Sequence, residues 1–200
     1  MQISIPQSDV DLLHTLLGNR KLSTVLLREF GSLRKLLTAT KEALLERTGI
    51  AESKADKIQA ILKVADRYLE ETLIKSNPLT SPQLTRKFLT SKLRDQGHEI
   101  FVALLLDSQH QVIKYIELAH GTIDGAAVYP REVVKTVLLE GAAAVIFAHN
   151  HPSGIAEASQ ADKAITERLV KALSLIDVRV LDHLIVGDGE FTSFAEKGWL

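Results

Sequence analysis

The sequence predicts an α/β (α+β) protein of two domains, a small N-terminal helical bundle followed by a mixed β-sheet with flanking helices. Three observations lead there. Apolar residues recur at three- and four-residue spacing throughout residues 9–71. Pro78 and Pro82 then stand in the polar stretch KSNPLTSP at 75–82, the strongest linker signal in the chain. Beyond it, apolar runs of strand length alternate irregularly with helical patterns. The expected organisation is a helical domain at 1–74, a linker at 75–82 and a sheet domain at 83–200.

In the first domain Asp9 or Asp11 caps a helix whose Leu12, Leu13, Leu16 and Leu17 share one face, and Gly18-Asn19 ends it. Val25, Leu26, Leu27 and Phe30 form a second apolar set that stops at Gly31. Leu33, Leu36 and Leu37 form a third, ending near Thr38. Helical segments at 41–47 and 51–71 flank the pair Thr48-Gly49.

In the second domain Ser81-Pro82 reads as an N-cap with proline at the first helical position, leading a helix with Leu84, Phe88 and Leu93. The run IFVALLLD at 100–107 is a strand, and 111–118 alternates well enough to pair with it across a short turn. Residues 130–140 read as a helix with Val133, Val134, Val137 and Leu138 on its apolar face. A buried strand at 142–148 runs into His149. Ile165, Leu169, Leu173 and Ile176 mark a helix at 159–176, and 178–186 is a strand that Gly187-Asp188-Gly189 turns into 190–194.

Composition removes several classes of function. Of 200 residues, 46% are apolar and 24% charged, which supports a packed core and argues against disorder. The net charge of −1 provides no global field for nucleic acid or an anionic membrane. With no cysteine, disulfides, thiolate metal sites and a cysteine nucleophile are excluded, and any metal must be held by His, Asp or Glu. The N-terminal MQISIP lacks a signal-peptide pattern, and the longest apolar stretch, 141–148, is too short to span a bilayer. A soluble, cytoplasmic protein without membrane contact is expected.

The segment AHNHPSG at 148–154 is the informative one. His149 and His151, two apart as the chain leaves a strand, share a face, so their nitrogens can converge on one ion. Ser159 and Asp162 follow at the start of the next helix, where a carboxylate can fold back as a third ligand. Two histidines, one aspartate and a water make an open catalytic zinc stoichiometry. The same residues have plainer readings. His149 and His151 read equally as polar loop residues, and Ser159-x-x-Asp162 as a helix capping box worth about 1 kcal/mol. Cap and ligand are compatible. Asp182-His183 inside an apolar strand reads either as support for a ligand or as a hydrogen-bonded core pair. Asn150 is open between substrate contact and loop cap, and His14, His98, His110 and His120 read as surface residues without partners.

His149-x-His151, seven residues, then Ser159-x-x-Asp162 resembles the metal motif of the JAMM (MPN-type) metalloproteases. Together with HNHPSG, ASQAD and LDHLIVG, and with LLREFGSL and ERTGIAESKADKI upstream, the chain is similar to the bacterial RadC family along essentially its whole length. The resemblance implies a JAMM/MPN domain of cytidine-deaminase-like architecture. It implies one zinc ion per chain, held by His149, His151 and Asp162, with Ser159 bonding the oxyanion as water adds to a carbonyl. It also implies a glutamate on a separate strand as general base, and Glu99, just ahead of IFVALLLD, stands in the matching place. Taken alone, Glu99 reads as a solvated strand-end carboxylate.

Around Thr48-Gly49, the sequence LLERTGI followed by Lys54 and Lys57 resembles a helix-hairpin-helix, a device that presents backbone amides to phosphate. Ala51 stands where the usual second glycine would be, and residues 1–75 carry 12 basic against 10 acidic side chains, so weak DNA binding at most is expected. The family carries a DNA-repair label. The expected function is zinc-dependent hydrolysis of a peptide or isopeptide bond in an unidentified peptide or protein. The alternative is a DNA-associated binding protein with a structural or vestigial metal site. A homo-oligomer is compatible with either.

Overall fold

Four short helices open the chain, and each starts on a side-chain cap of the same design. In α1 (Asp9–Leu17), α2 (Arg20–Phe30), α3 (Leu33–Leu37) and α4 (Lys41–Leu45), the preceding Ser8, Asn19, Ser32 or Thr40 accepts from the backbone N–H three residues on. Neither Asp9 nor Asp11 is the first cap. Ser8 is, and Asp11 instead accepts the Ser8 hydroxyl proton at 2.8 Å and pairs with Arg20 at 2.6 Å. Gly18 and Gly31 end α1 and α2 in the left-handed region.

The computed structural model describes residues 8–74, 76–121 and 128–200, which divide into two units after Arg67. Lys75, the first residue of the expected linker, and the N-terminal MQISIP lie outside the described residues. The division falls within the long helix α5 (Glu52–Leu73), upstream of 75–82. Its first half gives Ala55 and Ile58 to the first unit's core, alongside Leu13, Leu26, Leu36 and Leu44. Its last turns give Leu69 and Leu73 to a core of the second unit, which extends the helix past residue 71.

The second unit is a five-stranded mixed sheet between two helical layers. After α6 (Pro82–Leu93) come β1 (Ile100–Leu106), β2 (Val112–His120), α7 (Pro130–Glu140), β3 (Ala144–Asn150), α8 (Gln160–Ser174), β4 (Arg179–Val186) and β5 (Phe191–Ser193). Strand order is β2-β1-β3-β4-β5; only β3 and β4 are parallel, joined by α8 as a crossover. Alternation assigns each face. Val102, Leu104, Ile146, Ala148 and Leu184 meet Phe88, Leu89 and Leu93 of α6. Phe101, Ala103, Val145 and Phe147 meet Val133 and Val137 of α7 and Leu169 and Leu173 of α8. The central strands β1 and β3 are buried at every position, which is why they read as unbroken apolar runs.

Two local expectations need correcting. Ser81 precedes Pro82 as a cap residue would, but its side chain makes no capping bond. Leu138 is 60% exposed because α7 buries only the Val133 and Val137 stripe. Among the described residues, no helix is long and apolar enough to cross a membrane.

Candidate metal centre

β3 continues through His149 to Asn150, so His149 lies on the face of Val145 and Phe147, while Asn150 lies on the opposite one. His149 is fully buried, its ring stacked on Phe101 at 5.8 Å between centroids. His151 follows where the chain leaves the sheet, its N–H bonded to the Val186 carbonyl at the end of β4. The loop after it lies against Gly187, where a Cβ would collide with the Gly154 carbonyl oxygen. Gly154 itself adopts φ +81°, and its carbonyl accepts from Asp188 N–H at 2.8 Å. The glycines of HNHPSG and LDHLIVG thus serve one close approach between two loops.

That loop delivers Ser159 and Asp162 to the start of α8 as a complete capping box. Ser159 Oγ accepts from Asp162 N–H at 3.1 Å, and Asp162 Oδ2 accepts from both Ser159 N–H and Ser159 O–H at 2.7 Å. Oδ1 is left facing His149 Nε2 at 3.2 Å. His149 Nε2 and His151 Nε2 lie 3.0 Å apart, and His151 Nε2 lies 3.5 Å from Asp162 Oδ2. Cap and ligand geometry coexist in one carboxylate.

These spacings fit a metal ion. Donors about 2.0–2.1 Å from a tetrahedral centre lie about 3.3–3.4 Å from one another. Among the described residues, His149, His151 and Asp162 form the one group of three such side chains with ligand atoms all within 4.8 Å. His151 Nδ1 faces the Ile155 carbonyl at 2.9 Å, an acceptor only, so Nδ1 carries a proton and Nε2 is the nitrogen left to bind an ion. Burial alone would raise the Asp162 carboxyl. Hydrogen bonds from His149, His151 and Ser159 outweigh it and hold Asp162 far below the usual carboxylate range. The bond to Asp162 correspondingly pushes His151 up, with a further contribution from the charge of Glu99.

Glu99 is half-buried just ahead of β1, and it stands outside the ligand group while its field reaches His151. Its segment is tightly held. The Glu99 carbonyl accepts from Gly121 N–H at 2.7 Å. Asn150, 1% exposed, accepts from Ile100 N–H at 2.8 Å and donates to the His98 carbonyl at 3.0 Å. The side chain after His149 therefore clamps the backbone on both sides of Glu99.

The family model for the RadC-like JAB domain matches residues 79–199. The chain belongs to the RadC family. It is 55% identical over 179 residues to a UPF0758 protein of Aeromonas hydrophila, and 56% identical over 179 residues to one of Vibrio cholerae. It is also 55% identical over 180 residues to a UPF0758 protein of Tolumonas auensis. Each alignment covers 90% of this chain and 80% of the relative.

The remaining residues singled out in this RadC-family sequence separate by position. Asp182 and His183 point to different tasks. Asp182 accepts from the backbone N–H groups of His183 and Ala195 and from the Ser193 hydroxyl, tying β4 to β5 and the segment after it. Burial pushes its carboxyl up. His183 is instead fully buried and touches His149, with its Nε2 2.8 Å from His149 Nδ1. Its other nitrogen lies 2.6 Å from Thr166 Oγ1, a residue the sequence did not single out.

In the N-terminal RadC unit, Gly49 has φ +86° and its carbonyl accepts from Lys54 Nζ at 2.9 Å, so that lysine braces the hairpin; Lys57 is exposed. Three histidines expected to lack partners have them. His98 meets His120 at 3.4 Å, His120 also meets Glu117 at 3.2 Å, and Arg179 meets His110 at 2.6 Å.

Proposed function

We propose that this RadC-family chain is a zinc-dependent hydrolase that cleaves an amide or isopeptide bond in a peptide or protein. The observation that supports it is the convergence of three buried or half-buried donors with ligand atoms all within 4.8 Å of one another, and a separate glutamate whose charge acts on one of them. His149 Nε2, His151 Nε2 and Asp162 Oδ1 would hold the ion, leaving a fourth position open. Bound there, zinc supplies a Lewis acid that acidifies water and polarises a carbonyl.

The chain's own groups account for the rest. Glu99 accepts a proton from the attacking water and returns it to the leaving nitrogen as the C–N bond breaks, a contribution of about 10²–10⁴-fold. The Asn150 clamp and the Gly121 bond hold Glu99 in register for both transfers. At rest the Ser159 hydroxyl gives its proton to Asp162 Oδ2. To stabilise an oxyanion it turns that proton outward, while its oxygen still accepts from Asp162 N–H.

Cleavage of a fluorescence-quenched peptide library, with and without a zinc chelator, tests the reading. Glu99→Gln is expected to keep its metal and lose at least about 100-fold in turnover. Cleavage that survives the chelator, or is as fast in Glu99→Gln, contradicts it.

A further inference from the structure

Behind the centre, three buried side chains stand in line: Thr166 at 2% exposure, then His183 and His149 at 0%. The direction of every proton along this line follows from one acceptor. Thr166 Oγ1 lies 2.5 Å from the main-chain carbonyl of Asp162, which has no proton to give, so the hydroxyl proton points there. With that proton committed, Thr166 can only accept from His183 Nδ1, 2.6 Å away. His183 Nδ1 therefore carries a proton.

A second proton, on Nε2, would place an imidazolium among the rings of Phe101, Phe147 and Phe194, whose centroids lie 5.2, 6.3 and 4.8 Å away. Such a charge in an apolar interior is strongly disfavoured. His183 Nε2 is thus a bare acceptor, and the proton in the 2.8 Å contact belongs to His149 Nδ1. His149 Nε2, turned toward His151 and Asp162, is then the nitrogen left to bind an ion. The line starts on the backbone of Asp162 and ends on the ring of His149, so two ligands are joined through two residues that touch no ion.

We propose that Thr166, acting through His183, fixes the tautomer of His149 and thereby sets the affinity of the centre for a divalent ion. Both are positioning residues. The inference rests on reading the site as a metal centre, and the proton positions can be measured without any metal.

The test is long-range 1H–15N correlation of the histidine rings in the metal-free protein at neutral pH, paired with zinc affinity by competition against a chelating dye. Wild type is expected to carry a proton on Nδ1 in both His149 and His183, with none on Nε2 of His183. In Thr166→Val, which keeps the side-chain shape but removes the hydroxyl, His183 is expected to lose that pattern and zinc affinity to fall about 10–100-fold. Thr166→Ser is expected to restore both. A His149 ring without a proton on Nδ1 in wild type overturns the proposal without any variant. So does a Thr166→Val protein whose ring spectra and affinity match wild type. Wild type with the expected tautomers but no zinc binding overturns the metal-centre reading instead, so the two failures are distinguishable.

Discussion

Asp162 answers to Ser159 through one carboxylate oxygen and faces His149 through the other. Ser159→Ala removes the cap and is expected to cost about 1 kcal/mol in denaturant melts. If Ser159 also bonds an oxyanion, turnover falls by about 10²–10³-fold in the same variant. A stability loss with unchanged turnover would leave Ser159 a cap alone. Asn150→Ala is expected to keep zinc and lose turnover, because the His98 and Ile100 bonds that hold Glu99 disappear. Lost zinc in that variant would place Asn150 with the ligands. His183 supplies a pH signature. Burial holds its ring well below the value near 6.5 of an exposed imidazole. Between that lowered pKa and about 6.5 the unfolded chain binds a proton that the fold does not, so stability falls as pH drops, by about 1.4 kcal/mol per unit from this group. His151, raised chiefly by its Asp162 bond, acts oppositely. Its stabilisation is complete below about 6.5 and fades as pH rises through the folded pKa. Melts of metal-free protein from pH 6.5 to 5 are therefore expected to show a shallower slope for His183→Gln than for wild type, and equal slopes would contradict the assignment.

At the scale of elements, the centre is built where β3 and β4 run parallel and α8 begins. Gly187→Ala is expected to lower both the melting temperature and zinc affinity, because a Cβ there displaces the Gly154 carbonyl and with it the loop carrying His151 toward α8. Unchanged zinc affinity would uncouple the loop from the ligands. Much of this scale was legible in the sequence. Pro130 and Gly141 bound α7 as their local chemistry requires, and strand alternation placed His149 and His151 at one exit. The capping box was readable in Ser159-x-x-Asp162 and is present in the geometry, where the same carboxylate joins His149 and His151 in a group that could hold a metal ion. What the sequence withheld depends on pairing between distant segments. His183 meets His149 only because β4 aligns beside β3, with Phe147 opposite His183. Asn150 clamps the Glu99 segment only because β1 lies on the other side of β3. The end of α5 overran its expected stop because Leu69 and Leu73 are drawn into the second unit's core, a tertiary effect.

For the whole molecule, the two units have separate cores and separate chemistry. The first is a set of capped helices with nearly balanced charge, and Lys54 is spent on its own hairpin. The second is the RadC-like unit that holds the donor group. The parts argued for Glu99, Ser159 and Asn150 in turnover, and for the Thr166–His183 line in zinc affinity, depend on an ion being held there. The most direct measurement is the metal content of purified protein by mass spectrometry, for wild type and Asp162→Ala together. The account predicts about one zinc per wild-type chain and none in Asp162→Ala. A folded, unchelated wild type without zinc, or a variant that retains it, would contradict the account.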